Sequence, residues 1–277
     1  MKILQWHIYI IGLVFGSCFF ANCGNQQEGC IDPLAANFDV SAEKNCCCNY
    51  PFVVLDFKFL TNTEEYNIGN ATTNGDTLAD ANGNLFVVKN IRFLFSDFVF
   101  NKNESAPYVF DQRMKVFFKN TNDSIYSIDD YAAVSFTNKS IKTFSYKTQI
   151  KLNSLDFISG VSDSAYLFDS YKILSSSHPL YPIRGNFFDS TSLKYQIAII
   201  DVLTLSDSTN RSIRIDQPDA PEHHFLFNNL SVNPGFDLNI SAKISLDKLF
   251  DKVNWFAPDQ QVIRDQIKIN ITQMFVQ

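Results

Sequence analysis

The sequence is poor in the residues that most often announce a functional site. It has two tryptophans, four histidines and ten glycines among 277 residues. It has no nucleophile elbow, Walker loop, H-E-x-x-H run or zinc-ribbon spacing, so no motif marks an enzyme. The carboxylate pair Asp129-Asp130 falls in a polar turn and is expected to be solvated. Positive charge is short as well: 23 Lys and Arg stand against 29 Asp and Glu, a net charge of −6. That balance argues against nucleic acid or an anionic lipid surface as a partner. There is no internal repeat and no low-complexity linker. Beyond the N-terminal segment no apolar run has spanning length, so the rest of the chain is expected to be soluble.

The N-terminal segment has a definite pattern. Lys2 is followed by the apolar run "IYIIGLVFGSCFFA", the order expected of a secretory signal. A cysteine at the end of such a run resembles a bacterial lipobox, in which the thiol is acylated and becomes the new N-terminus. Two cysteines qualify. Ser17 before Cys18 suits the small-residue requirement, whereas cleavage before Cys23 leaves polar "GNQQEG" as a tether. Cys23 is the expected anchor and Cys18 the alternative. Either gives a lipoprotein on the periplasmic or cell-surface side of an outer membrane. Cleavage before Cys23 removes Lys2 and leaves 22 basic against 29 acidic residues, a net charge of −7. The expected divisions are a signal over 1–22, a tether and cysteine-rich module over 23–50, and a large domain over 51–277.

That large domain reads as strands. Composition favours them, with 27 Phe and 11 Tyr beside many Ile, Val and Thr. In "VVLDFKFL", Val53, Leu55, Phe57 and Phe59 fall on one face. "NIRFLFSDFVF" follows the "DANGN" turn, where Asn82-Gly83 supplies a tight hairpin. In "FDLNISAKISLDKLF", Phe236, Leu238, Ile240, Ala242, Ile244 and Leu246 alternate with polar residues. "KYQIAIIDVLTL" is apolar on both faces and reads as a central strand. Such strands pack as an antiparallel β-sandwich. After Pro258, the spacing of Val262, Ile263, Ile267, Ile271 and Met274 predicts a short C-terminal helix.

Three histidines follow the signal: His178, His223 and His224. The pair in "EHHF" is the main metal candidate, because imidazoles at a strand edge can converge on an ion. The competing reading is a solvated loop after "QPDAPE". His178, in "SSSHPLYP", reads as a solvated loop residue.

The stretch "GCIDPLAANFDVSAEKNCCCNY" resembles a short module of secreted and surface bacterial proteins, with the pattern G-C-x-D-P-x-A-x-N-[YF] and a closing C-x-Y. Gly29, Cys30, Asp32, Pro33, Ala35, Asn37 and Phe38 match its first half, and Cys48 and Tyr50 its end. The resemblance implies a Cys30–Cys48 disulfide. The acidic run that precedes the last cysteine in that module is here "KNCC". Asp32, Asn37 and Asp39 remain as oxygen ligands for calcium. Cys46 and Cys47 are left over. Soft thiolates suit copper(I) or zinc, and oxidation to disulfides is the expected fate outside the inner membrane.

From residue 52 onward the order of features resembles the MbnP-like family, exported β-sandwich proteins associated with copper. The opening "LDFKFL…YNIG…DANGNLFVVKNIRFLFSDFVF", then Gly160, Val161, Asp163 and Ser164 of "GVSDS", then "HHFLF" and "FDLNISAKISLDKLFD" follow the family order. The fold implied is all-β: an antiparallel sandwich with a short C-terminal helix and a disulfide-stapled N-terminal module. The resemblance implies copper held by His223 or His224; His178, near the missing tryptophan in sequence, is a further candidate ligand that no family pattern requires. It also implies a diheme peroxidase or a TonB-dependent transporter as partner. Where the family has a tryptophan modified by the diheme partner, this chain has Tyr181-Pro182, and Trp255 is expected to pack in the core. A non-catalytic surface lipoprotein that has lost the copper site is the alternative.

Overall fold

The computed structural model describes residues 26–68, 75–121, 123–173, 175–182, 187–189, 191–217 and 221–276. The signal over 1–22 and both anchor candidates, Cys18 and Cys23, lie outside them. The chain divides into two compact units between Tyr50 and Pro51.

The small unit is held by covalent and polar links, since among its described residues only Cys30 and Ala35 are buried and apolar. Cys30 and Cys48 form a disulfide with Cα atoms 4.8 Å apart, as the resemblance implied. Two short strands, Glu28–Gly29 and Lys44–Asn45, pair in parallel beside it. A core this small cannot offset the conformational entropy of 25 ordered residues, so the cross-link does most of the stabilising.

The large unit is built from ten principal strands: β1 (Phe52–Thr61), β2 (Leu85–Phe100), β3 (Ala132–Ser135), β4 (Ser140–Ser145), β5 (Ile150–Ser159), β6 (Lys194–Thr204), β7 (Thr209–Asp216), β8 (Glu222–Val232), β9 (Leu238–Ser245) and β10 (Phe275–Val276). A short helical turn α1 (Leu246–Leu249) and the helix α2 (Gln260–Ile271) complete it. The larger sheet runs β7–β6–β2–β5–β8, with β3 also paired to β2. The smaller runs β4–β1–β9–β10. All these pairs are antiparallel except β1 and β9, which lie parallel over eight residue pairs. The first long strand and the last are therefore neighbours.

The core between the sheets is aromatic. Phe57 of β1 stacks on Phe95 of β2 at 5.3 Å, and Phe157 of β5 meets both edge-on. Val53, Leu55, Phe57 and Phe59 are fully buried, as their alternation predicts. On β9, Ile240, Ala242 and Ile244 face inward, but Phe236 precedes the strand and is 84% exposed. The hydrophobic alternation overran the strand by one inward position. The hairpin before β2 turns at Gly83, whose φ of 79° a side chain would resist. Asp80 anchors that turn by accepting from the backbone N–H of Asn82 and Asn84. Its other oxygen accepts from the backbone N–H of Trp255, which is fully buried against Phe86 and Phe250.

The larger sheet is covered on its second face too. Leu94 of β2 and Tyr195 and Ile199 of β6 pack against Val161, Ala165, Phe168 and Leu180 in a separate apolar cluster. That double burial explains why "KYQIAIIDVLTL" is apolar throughout. The C-terminal helix begins at Asp259, whose side chain accepts from the N–H of Gln261. Ile263, Ile267 and Ile271 face the core; Val262 is exposed, one position off the apolar stripe.

Candidate functional site

A cleft of about 340 Å³ opens where the ends of β2, β5 and β8 meet. Its position follows from an interruption in β2. The apolar run "RFLFSDFVF" contains the polar pair Ser96-Asp97, and the register against β5 shifts there: Asp156 pairs with Val99, yet Ile158 pairs with Ser96. Asp97 takes a φ of 56° in this bulge. An inserted residue in an otherwise paired strand bends the edge and re-aims neighbouring side chains. Here it places Asp97 at the cleft beside Asp130, Asp156, Glu222 and a single lysine, Lys102.

Asp130 is 7% exposed, not solvated as its polar neighbours suggested. One of its oxygens accepts from the backbone N–H of Phe98, 3.1 Å away. Burial, followed by the neighbouring charge of Asp97, pushes its carboxyl up to about 7. Asp97 is raised too, chiefly by desolvation. Asp130 is therefore the carboxyl of the cleft that is part-protonated near neutrality.

β8 carries the histidine pair, and its geometry separates the two rings. Successive side chains on a strand point to opposite faces. His223 turns inward and is 5% exposed, packed on Phe157 and Phe275. Its Nε2 lies 2.7 Å from the Ser159 hydroxyl. Burial among those rings drives its pKa down to about 4, so it is neutral at physiological pH. His224 turns outward. Its Nδ1 donates to Asp156 Oδ1 across the strand pair at 2.7 Å, and Asp156 is its register partner. The imidazole is about half exposed, and no described residue hydrogen-bonds its Nε2. Asp156 Oδ2 is buried and has no donor among the described residues. The adjacency that suggested two converging imidazoles is thus what divides them.

His178 is elsewhere and is not solvated. The N–H of Leu180 donates to its Nδ1 at 3.1 Å, which leaves the Nε2 proton to donate to Asp129 at 2.9 Å. It lies beside Tyr131, and it does not line the cleft. Among the described residues, no three His, Cys, Asp or Glu side chains are gathered to hold one metal ion.

The oxygen ligands proposed in the small unit have internal work. Asp32 accepts from the N–H of Leu34 and the hydroxyl of Tyr50. Asn37 donates to the carbonyl of Cys47 and accepts from the N–H of Asn49. Asp39 accepts from the N–H and hydroxyl of Ser41. The bonds to Leu34 and Ser41 shape local turns, and those to Cys47, Asn49 and Tyr50 tie the two ends of the module together.

Sequence reasoning missed Asp97, Asp130 and Asp156. A signal for Asp97 was present: a polar pair inside a long apolar strand marks a bulge. Asp156 alternates in "LNSLDFIS" as an ordinary outward residue, and nothing in that run marks its partner.

No protein-family model matches the chain, and no curated protein matches it. Among solved structures the chain is similar to MbnP from Methylosinus trichosporium, with a TM-score of 0.42 and 11% identity. The likeness covers 74% of this chain and 79% of that one. At that depth it carries no inference for this chain.

Proposed function

We propose that this chain is an exported, non-enzymatic lipoprotein, anchored through Cys23 or Cys18, whose acidic cleft binds a cation, with copper(II) at His224 as the ligand to test first. The observation that carries the reading is Asp156: one carboxylate oxygen orients the His224 ring, and the other is buried without a donor. A buried acceptor left in this state calls for a bound cation or donor. A carboxylate on one imidazole nitrogen fixes the tautomer that presents the other nitrogen to an ion. Asp97, Asp156 and Glu222 outnumber Lys102 even with Asp130 protonated, and give the cleft a negative field.

The donor set fits an ion held loosely by His224 and Asp156, with its other positions filled from outside the chain. It does not fit a centre shared by all three histidines, because His223 and His178 spend ring nitrogens on Ser159 and on Asp129 and Leu180. A bound copper ion would supply a redox-active centre. The chain's part is to orient His224 through Asp156 and to draw cations into the cleft by its negative charge, with the imidazole favouring copper(II) over hard cations. On this reading the partners are the outer membrane, through the lipid, and a diheme peroxidase or TonB-dependent transporter, with no nucleic acid. Calcium at Asp32, Asn37 and Asp39 is no part of the proposal, since those side chains already bond other groups of the small unit.

Metal content after dialysis against copper(II) tests this, in a C46S/C47S background that removes competing thiols. One copper per chain is expected, with affinity reduced about tenfold or more in H224A and D156N and unchanged in H178A. A second reading is a partner-binding surface lipoprotein without copper, favoured by the internal commitments of His178 and His223. No bound copper, or the same affinity in H224A, selects that reading and refutes the first.

A further inference from the structure

The small unit holds a second chemistry, independent of the cleft. Cys46 and Cys47 are free thiols beside an intact Cys30–Cys48 disulfide. Their sulfurs lie side by side, 2.7 Å apart. Cys46 is half-buried, and Cys47 is exposed. Cys47 also has a φ of 59°, a left-handed conformation that a side-chain-bearing residue adopts only when its surroundings impose it. The surroundings here are visible. Asn37 Nδ2 donates to the Cys47 carbonyl at 2.8 Å, its Oδ1 accepts from Asn49 N–H at 2.7 Å, and Cys48 is tied to Cys30. The backbone on both sides of Cys47 is pinned, and the two sulfurs are brought together.

We propose that Cys46 and Cys47 form a thiol–disulfide exchange site, in which the pair closes to a vicinal disulfide at the expense of a low-molecular-weight disulfide. The exposed Cys47 thiolate attacks a sulfur of the substrate R–S–S–R, forming a Cys47–S–S–R bond and expelling RS⁻. The Cys46 thiolate then attacks the Cys47 sulfur, forms the Cys46–Cys47 bond and expels the second RS⁻. Both cysteine protons pass through solvent to the expelled thiolates. Two cysteine thiols and one R–S–S–R thus become one protein disulfide and two R–SH.

The order of attack follows from the asymmetry of the pair. Cys47 is exposed and is the sulfur a substrate reaches, whereas the neighbouring Cys47 sulfur, then desolvation, holds the half-buried Cys46 thiol up at about 11 and makes it the slower first nucleophile. The closed ring spans one peptide bond and is constrained, and strained exposed disulfides are the readily reduced, exchangeable kind. The Cys30–Cys48 bond is of the other kind, since Cys30 is buried.

The test uses the full chain with C18S and C23S, so that four cysteines report. It is equilibrated in mixtures of reduced and oxidised glutathione, quenched with N-ethylmaleimide and weighed intact. The expected result is a single two-electron step: two maleimides per chain on the reducing side, none on the oxidising side, and no glutathione retained. C46S should instead keep one glutathione at Cys47. C46S/C47S should take up no maleimide across the step, which assigns the step to the pair. Limiting iodoacetamide should label Cys47 about tenfold faster than Cys46. Retention of two glutathiones by the parent chain overturns the proposal. So does a pair that stays fully alkylatable in oxidised glutathione, or a double variant that still shows the step at Cys30 and Cys48.

Discussion

Asp130 and His223 impose opposite pH dependences on the stability of the same domain, and each should be unmasked by removing the other. Asp130 is raised from 3.8 to about 7, so between those values the folded state holds a proton that the unfolded chain has released. Stability from that group is present at low pH and lost as pH rises. At 1.36 kcal/mol per unit, the full swing is about 4 kcal/mol. His223 is lowered from 6.5 to about 4, so over that range the unfolded chain holds a proton that the folded state lacks. Its stability is present at high pH and lost as pH falls, with a swing of about 3 kcal/mol. Asp97 is raised as well and adds to the sign of Asp130. In the wild type the slopes nearly cancel, and urea unfolding should give stabilities level to within about 1 kcal/mol from about pH 4.5 to about pH 6.5. D130N keeps the oxygen that accepts from Phe98 but cannot ionise; its stability should rise by about 2 kcal/mol across that window. H223Q should fall by about the same amount. Exposed carboxylates with lowered values, such as Asp207 at about 2, release their contribution at lower pH. A D130N curve as flat as the wild type refutes the assignment of opposed burial terms.

Other substitutions test other joints. G160A places a side chain at a φ of 112° and drives its Cβ to 2.8 Å from Ile197 Cγ2 and into Gln217; it should cost about 2–3 kcal/mol by chemical denaturation. F57A removes the ring stacked on Phe95 and should cost about 3–5 kcal/mol, read as a lowered urea midpoint at unchanged slope. C30S/C48S opens a link with a sequence separation of 18 and should destabilise the small unit by about 3 kcal/mol. Amide exchange should then accelerate over residues 26–50, while protection of β1 and β9 stays as it was.

The strands were legible because burial on one face of a sheet writes a two-residue period, which runs cleanly through Val53, Leu55, Phe57 and Phe59. Phe236 misled because an apolar residue can sit in phase with a strand that has not yet begun. The parallel β1–β9 pair was not legible, since a period of two is the same in either direction. The histidines show the limit for sites. The strand period could have placed His223 and His224 on opposite faces, but their separate bonds to Ser159 and Asp156 arise from cross-strand register. Asp130 looked like half of a solvated pair, because local polarity does not reveal what folds over it from β2. Cys30 and Cys48 were legible through a short pattern with a covalent consequence, and the resemblance that supplied it also framed Cys46 and Cys47 as a remainder.

The pairing of β1 with β9 has a consequence for how the domain comes into being. Phe52 at the start of β1 gives its N–H to Asp237 just ahead of β9, 185 residues away. As the chain leaves a ribosome or a translocation pore from its N-terminus, β1 emerges early with one long edge of backbone N–H and C=O groups unpaired. Its partner arrives only when more than four-fifths of the domain is out. The larger sheet can assemble in the meantime, but the smaller one has no centre until β9 slots in. Maturation should therefore look like a latch, with an open-edged intermediate for most of synthesis and closure on delivery of the last strand. Truncations that stop short of Leu238 should leave β1 vulnerable to proteases and aggregation, and a β9 segment supplied in trans should be captured along that same edge.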